Sequence, residues 1–165
     1  MSEQQVTLSV VNRRAFLISA GAAAAVFPSL GLFAQEARVP EAIERTKQFE
    51  DAYAALVAGG QPLEGKITLE LPEIAENGNF VPLTVSVDSP MTPEDHVKVI
   101  HILATANPVA RVASFHLSPV NGVAKVQSRM RLAKTQDVIA IAQLSNGVLA
   151  AATATVKVTI GGCAS

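Results

Sequence analysis

Between residues 66 and 160, apolar and polar residues alternate in short runs separated by turn residues, a pattern typical of β-strands. Asn146-Gly147 lies between two apolar runs and predicts a tight hairpin. The number and spacing of the runs predict a mainly β fold, an antiparallel β-sandwich that is Ig-like in architecture. The seven predicted strands are 66–71, 80–87, 96–105, 111–118, 122–132, 136–145 and 148–160.

A helical period precedes the strands. Pro40-Glu41 suits the first turn of a helix, and Gly59-Gly60 suits its end. One amphipathic N-terminal helix is therefore predicted over residues 40–58. The apolar residues of its stripe, spaced by about three or four positions, are Ile43, Phe49, Tyr53, Leu56 and Val57.

Two strands carry finer predictions. Pro82 has no N–H to donate, so its strand is predicted to lie at a sheet edge, which makes it a weak candidate for a partner surface. In the last strand, Val156, Val158 and Ile160 share one face. We expect Ile160 to be the last residue anchored in the core, and mobility to begin at Gly161.

The N-terminal segment has the pattern of an export signal. Arg13-Arg14 precede an uncharged apolar run over residues 18–33, and Ala34 provides a small residue for cleavage. Adjacent arginines predict the twin-arginine route and a periplasmic protein. The alternative is a membrane anchor, for which the run is short.

Composition limits the partners and the core. The chain has 165 residues, of which 49% are hydrophobic but only 4% aromatic, with no Trp, so the core must consist of Val, Ile, Leu and Ala. A net charge of −1 argues against nucleic acid and an anionic membrane as partners. The predicted organisation is a signal peptide over 1–34, a helix plus β-sandwich over 35–160, and a mobile arm over 161–165.

Cys163 is the only cysteine and follows Gly161-Gly162. It has no disulfide partner within the chain, and the glycines predict a flexible arm that presents the thiol outward. No His, Arg or Lys lies within the last six residues to activate it. We therefore predict a covalent carrier acted on by other enzymes, with no catalytic residue of its own. The alternative is a structural Ig-like module that uses Cys163 for an intermolecular disulfide.

The histidines are the other candidates for chemistry. The spacing of His96, His101 and His116 does not match a helical metal-binding pair, and His96 and His101 have opposite strand parity. Ordinary strand or loop histidines are therefore expected, with no metal and no cofactor. A metalloenzyme that adds Cys163 as an iron or copper ligand is the remote alternative.

A basic cluster occupies one predicted strand. Lys125, Arg129 and Arg131 share a strand face, and Lys134 follows just beyond. The simpler interpretation is a solvated strand face. The sharper alternative is a docking or anion-steering patch.

Several separated motifs closely resemble the SoxY family, the sulfur-carrier subunits of the bacterial Sox thiosulfate-oxidising system. The resemblance covers essentially the whole chain, in the same order of motifs. The segments that carry it are 74–79, 81–85, 88–92, 131–136 and 156–163.

The resemblance implies a fold, a cargo and partners. It implies an Ig-like β-sandwich bound to a small β-sandwich subunit, SoxZ, with Cys163 as the covalent attachment point. A c-type haem enzyme would couple thiosulfate to Cys163, a hydrolase would release sulfate, and a sulfane dehydrogenase would oxidise the remaining sulfur. No cofactor is implied, only thiosulfonate or persulfide adducts on the cysteine.

One departure affects the tail. The family ends typically in Gly-Gly-Cys-Gly-Gly, whereas Ala164-Ser165 follow the cysteine here. The added Cβ of Ala164 would clash with the wall of a partner-enzyme channel that is shaped for glycine. Retained carrier function with weaker acceptance by at least one partner enzyme is the expectation, and a specialised paralogue is the alternative.

Overall fold

The computed structural model describes residues 43–58 and 60–162. These residues form one helix and eight strands, so the mainly β prediction with one preceding helix is confirmed, whereas the Ig-like description stays a prediction. All seven predicted strands are present with shorter bounds. In chain order the elements are α1 (Lys47–Val57), β1 (Ile67–Glu70), β2 (Ile74–Asn77), β3 (Val81–Val87), β4 (Val97–Ala104), β5 (Arg111–His116), a 3-10 turn (Pro119–Asn121), β6 (Lys125–Met130), β7 (Gln136–Leu144) and β8 (Leu149–Ile160).

The strands form two sheets. The first sheet has the order β1-β3-β6 and the second has the order β2-β8-β7-β4-β5. Every pair is antiparallel except β2–β8, in which Ile74 is opposite Lys157 and Asn77 is opposite Ile160 in parallel register. The fully antiparallel prediction is therefore wrong at β2. This strand was missed because it has four residues and buries only Ala75.

The main core lies between the two sheets. It is aliphatic, as the shortage of aromatic residues requires, and both sheets contribute to it. Its fully buried side chains include Val81 and Val85 of β3, Ile100 and Ile102 of β4, and Val138 of β7. Burial of this kind contributes roughly 1.5–3 kcal/mol per side chain relative to exposure.

A smaller core holds α1 against the other face of the second sheet. Phe49 and Val57 of the helix pack on Leu103 of β4 and on Ile139 and Ile141 of β7. These sheet residues alternate with the residues that face the main core, so β4 and β7 are buried on both faces. The helix thus covers part of the second sheet.

The helix begins later than predicted. Thr46 is its N-cap and its hydroxyl oxygen accepts a hydrogen bond from the Phe49 N–H at 3.2 Å, so residues 43–46 are not helical. The predicted start at Pro40 rested on proline chemistry, but the hydroxyl cap at Thr46 sets the boundary. At the other end Ala58 takes the left-handed conformation with φ 46°, next to the predicted stop.

Pro82 is not in an edge strand, because β3 is the central strand of the first sheet. That prediction is corrected by the register. β6 continues opposite Pro82, which pairs with Arg129, whereas β1 extends only to the Glu70–Thr84 pair. At Pro82, β3 has a neighbouring strand on one side only. Proline lacks an N–H, but no hydrogen bond of the sheet is lost, because no strand lies on the open side.

The Asn146-Gly147 hairpin prediction is confirmed. β7 and β8 pair antiparallel on either side of it, and the Leu144 N–H donates to the Val148 carbonyl oxygen at 2.9 Å. Gly147 has φ 82°, a left-handed conformation that favours glycine, and the Asn146 Oδ1 accepts from the Val148 N–H at 3.0 Å.

The predicted signal peptide, with Arg13, Arg14 and Ala34, lies outside the described residues. Within the described residues, no helix has the length and apolar character needed to cross a bilayer.

Candidate functional site

Strand β8 leads to the predicted carrier segment, and its last residues differ from expectation. Ile160 is 65% exposed, so it does not anchor the strand in the core. Val156 is the last fully buried side chain of the strand, and Gly162 is buried beyond it. The prediction that Ile160 is the last residue anchored in the core is therefore wrong, whereas mobility from Gly161 onward stays a prediction.

Three backbone hydrogen bonds hold the end of β8 against two loops. The Gly78 N–H donates to the Ile160 carbonyl oxygen at 2.7 Å, and the Leu132 N–H donates to the Gly78 carbonyl oxygen at 2.8 Å. The Gly162 N–H donates to the Leu132 carbonyl oxygen at 2.8 Å. We call this arrangement the glycine dock; it consists of Gly78, Leu132, Ala133, Gly161 and Gly162.

The dock has no room for side chains at its glycines. A Cβ on Gly162 would lie 2.1 Å from the Gly78 carbonyl carbon, and one on Gly161 would lie 2.2 Å from the Ala133 carbonyl oxygen. A Cβ on Gly78 would lie 2.3 Å from the Leu132 carbonyl oxygen. Gly161 and Gly162 make close backbone contacts here, and their role in arm flexibility stays a prediction. The sequence could not distinguish these two uses of glycine.

A buried amide network supports the loop that receives Gly162. The Asn107 side chain donates to the Arg131 carbonyl oxygen and accepts from the Ala133 N–H, each at 2.9 Å. The Gln136 side chain donates to Asn107 Oδ1 at 2.8 Å and accepts from the Ala106 N–H at 2.8 Å. These amides fix the position of the Leu132 carbonyl, and sequence analysis gave neither residue a role. Asn107 lies between Ala106 and Pro108, but Gln136 lies between the polar Thr135 and Asp137, so the local pattern did not mark both residues.

The basic cluster is divided by the fold. Lys134 forms an ion pair with Glu44, and Lys125 lies at the opposite end of β6 from Arg131. Arg129 and Arg131 line a groove beside the glycine dock, and Arg111 of β5 joins them from the second sheet. We call it the arginine groove; its lining residues are Asn79, Phe80, Asn107, Val109, Arg111, Val112, Arg129, Met130 and Arg131.

The three histidines do not form one cluster. His96 Nδ1 lies 3.1 Å from the Thr92 carbonyl oxygen, ahead of β4. His101 Nδ1 lies 2.7 Å from Ser114 Oγ on the neighbouring strand. Burial, followed by the nearby charges of Arg111 and His116, lowers the pKa of His101, so the imidazole is held neutral. Among the described residues, no three side chains of His, Cys, Asp or Glu form a group suited to a metal ion.

Cys163 and the departure at Ala164-Ser165 lie outside the described residues. The structure therefore describes the chain up to the residue before the thiol. It places that residue, Gly162, between the Asn77–Asn79 turn and the loop after β6.

Comparison with known proteins identifies the family. Residues 53–163 match the family model described as sulfur oxidation protein SoxY, and the matched segment ends at Cys163. The chain belongs to the SoxY family. No significant match was found among curated proteins.

Solved structures agree with this assignment. The sulfur carrier protein SoxY from Chlorobium limicola f thiosulfatophilum is 38% identical, with a TM-score of 0.56, over 68% of this chain and 97% of that chain. A superoxide reductase (neelaredoxin) from Ignicoccus hospitalis is 19% identical with a TM-score of 0.52, over 57% of this chain and 80% of that one. The similarity to the superoxide reductase shows a shared fold and nothing about function.

Proposed function

We propose that this SoxY-family chain is a non-catalytic carrier that holds sulfur intermediates of thiosulfate oxidation on Cys163. The observation that carries the proposal is the family match, which continues through the glycine dock to the single cysteine. The related Chlorobium protein is itself described as a sulfur carrier. The dock supports the same role, because it gives the residue before the thiol a defined place on the domain.

The proposed loading step is an oxidation. The Cys163 thiol and the outer sulfur of thiosulfate form an S–S bond, and the thiol proton and two electrons leave. A c-type haem enzyme takes the electrons. Water then attacks the sulfonate sulfur in a partner hydrolase, which releases sulfate and leaves a persulfide on Cys163. A sulfane dehydrogenase oxidises that remaining sulfur.

Presentation to these enzymes requires the tail to leave the dock. Release of Gly162 breaks its bond to Leu132, and release of Ile160 also breaks its bond to Gly78. A net contribution of about 0.5–1.5 kcal/mol per bond gives a cost of about 1–3 kcal/mol. A cost of this size leaves roughly one molecule in six to one in 150 released. We therefore propose a docked arm that is released for visits, rather than one that is permanently free.

Export and assembly complete the proposal. Arg13 and Arg14 direct export to the periplasm by the twin-arginine route, with cleavage after Ala34 and no membrane attachment afterwards. A SoxZ-like small β-sandwich subunit lacking its own signal travels with the folded carrier as a heterodimer. Replacing Arg13 and Arg14 by Lys should retain both subunits in the cytoplasm, and separate export of the two subunits would contradict joint transport.

The decisive experiment is intact-protein mass spectrometry after incubation with thiosulfate and the haem enzyme. A thiosulfonate adduct is expected on the wild type and not on Cys163→Ser. An unmodified wild type under conditions that load another SoxY would contradict the carrier proposal. A stable disulfide dimer that resists exchange with small thiols would favour the structural-module alternative.

A further inference from the structure

The arginine groove has the composition of an anion site. Its volume is about 480 Å³, and its lining residues include three arginines but no Asp or Glu. Within residues 43–58 and 60–162, the two ion pairs are Lys47–Asp51 and Lys134–Glu44, so Arg111, Arg129 and Arg131 are not neutralised there. Three arginines from two sheets therefore share one opening with no described acidic partner.

Phe80 orients one of these arginines. The guanidinium carbon of Arg129 lies 4.4 Å from the centre of the Phe80 ring, in a cation–π contact. The guanidinium has five N–H donors, which can bind an oxyanion while its face contacts the ring. Phe80 is 59% exposed and Val109 is 70% exposed, so the groove also offers apolar surface beside its charges.

The groove adjoins the glycine dock. Asn79 lines the groove, and its backbone N lies 2.2 Å from the position of a Cβ on Gly162. Arg131 also lines the groove and directly precedes Leu132, which accepts the Gly162 N–H. One trans peptide unit, about 3.8 Å between Cα atoms, joins Gly162 to Cys163. A group carried on Cys163 is thus within reach of the groove by chain connectivity.

We propose that the arginine groove binds a sulfur oxyanion, namely the sulfonate end of thiosulfate, either free or carried as a thiosulfonate on Cys163. A sulfonate has three acceptor oxygens and a negative charge, which suit a groove lined by arginines and by no acidic residue. The adjoining divalent sulfur is apolar and polarisable, and it suits the Phe80 and Val109 surface. The carried form of the inference rests on the proposed carrier function, whereas the free form does not.

This site would discriminate between states of the cargo. Release of sulfate removes all three sulfonate oxygens and leaves a persulfide without the group that the arginines hold. The loaded thiosulfonate is therefore bound at the dock, and the persulfide is not. The groove protects the unhydrolysed adduct from solvent thiols until a partner enzyme withdraws it.

The first arm of the test uses free anion and the exported full chain with Cys163→Ser, so no covalent loading occurs. Thiosulfate is titrated at constant ionic strength, while NMR follows the Asn79 and Phe80 amides and the Arg129 Nε–H. The Arg129→Gln/Arg131→Gln double variant should weaken binding at least tenfold. Lys125→Gln, on the same strand but outside the groove, should change it less than twofold.

The second arm uses wild-type protein loaded chemically. The Cys163 thiolate attacks tetrathionate, an S–S bond forms, and thiosulfate leaves, giving the thiosulfonate adduct without any enzyme. After the released thiosulfate is removed, the groove signals should be shifted by the adduct. They should return when the partner hydrolase adds water to the sulfonate sulfur, which releases sulfate and leaves the persulfide. In the double variant, the adduct should react with a small thiol at least fivefold faster than in Lys125→Gln.

Each outcome decides between the proposals. Groove shifts in both arms support the site, even if the haem enzyme fails to load Cys163, in which case only the carrier function is contradicted. If the NMR signals shift only with the adduct on Cys163, the groove binds only the carried thiosulfonate. If they shift only with free thiosulfate, the groove binds only the anion in solution. Equal binding by wild type and the double variant, with matched thermal unfolding showing both folded, overturns the inference.

Discussion

The two ends of β8 use glycine for opposite reasons. At the start of the strand, Gly147 has φ 82° and an added Cβ would meet nothing within 4 Å, so backbone conformation requires the glycine. At the other end, an added Cβ on Gly162 would lie 2.1 Å from the Gly78 backbone, so lack of space requires it. The first end is a local turn, whereas the second is a contact between segments far apart in the chain.

This difference bears on function. The hydrogen bonds of the local turn lie within residues 144–148, so its geometry is set by neighbouring residues in the chain. The glycine dock forms only when β2, the loop after β6 and the end of β8 meet. The proposed carrier function requires this dock to be released without unfolding of the sheets, and the following variants test the contrast.

Gly78→Ala should have the largest effect. Its Cβ would meet the Leu132 carbonyl oxygen at 2.3 Å and the Gly162 N at 2.8 Å, and both are backbone atoms that cannot rotate away. We expect a loss of about 3 kcal/mol or more in the free energy of unfolding, measured by urea denaturation. Gly122→Ala, at an open position with φ 70°, is the control. A loss no greater than that of the control would show that the dock is not close-packed.

Asn107→Ala should have the next largest effect. It leaves the Arg131 carbonyl and the Ala133 N–H without the Asn107 partner in a partly buried region, and it leaves the Gln136 Nε2 with its bond to the Lys134 carbonyl oxygen alone. We expect a loss of about 2–3 kcal/mol in the same measurement. Gln127→Ala, on the exposed part of β6, should stay within about 0.5 kcal/mol of wild type. A loss at Asn107 as small as the control's would exclude a supporting role for the network.

Gly162→Ala should cost less than Gly78→Ala, about 1–2 kcal/mol, although its clash is as close. The reason is that the tail can leave the dock, and the loss is then limited to the docking contacts. Hydrogen exchange at the amides of Gly78 and of residue 162 should accelerate, while exchange at Val138 in β7 should not. Faster exchange throughout β7 would mean that the dock cannot be released separately from the sheets.

Gly147→Ala should have the smallest effect, about 1 kcal/mol, because only the left-handed conformation opposes it. Asn tolerates that conformation better, so Gly147→Asn should cost less than Gly147→Ala. Thermal unfolding of both variants measures the difference. Hydrogen exchange at the Gly162 amide should match wild type, and acceleration there would show that the two ends of β8 are coupled.

Local sequence patterns determined much of this protein. The alternation of apolar residues defined seven of the eight strands, Asn146-Gly147 defined a hairpin, and the segments around residues 74–92, 131–136 and 156–163 indicated the family. Each of these signals lies within a short stretch of chain. They were readable because strand period and turn chemistry are local physical properties.

Tertiary structure alone decided the rest. A central strand tolerates Pro82 because β1 ends before reaching it. Strand β2 forms only by pairing with β8. Arg111 and Arg129 line the same groove only because the two sheets pack together. The sequence marks a glycine but not the atoms that will surround it. Whether a glycine loosens the chain or permits close contact depends on segments distant in sequence, because the available space is set by packing.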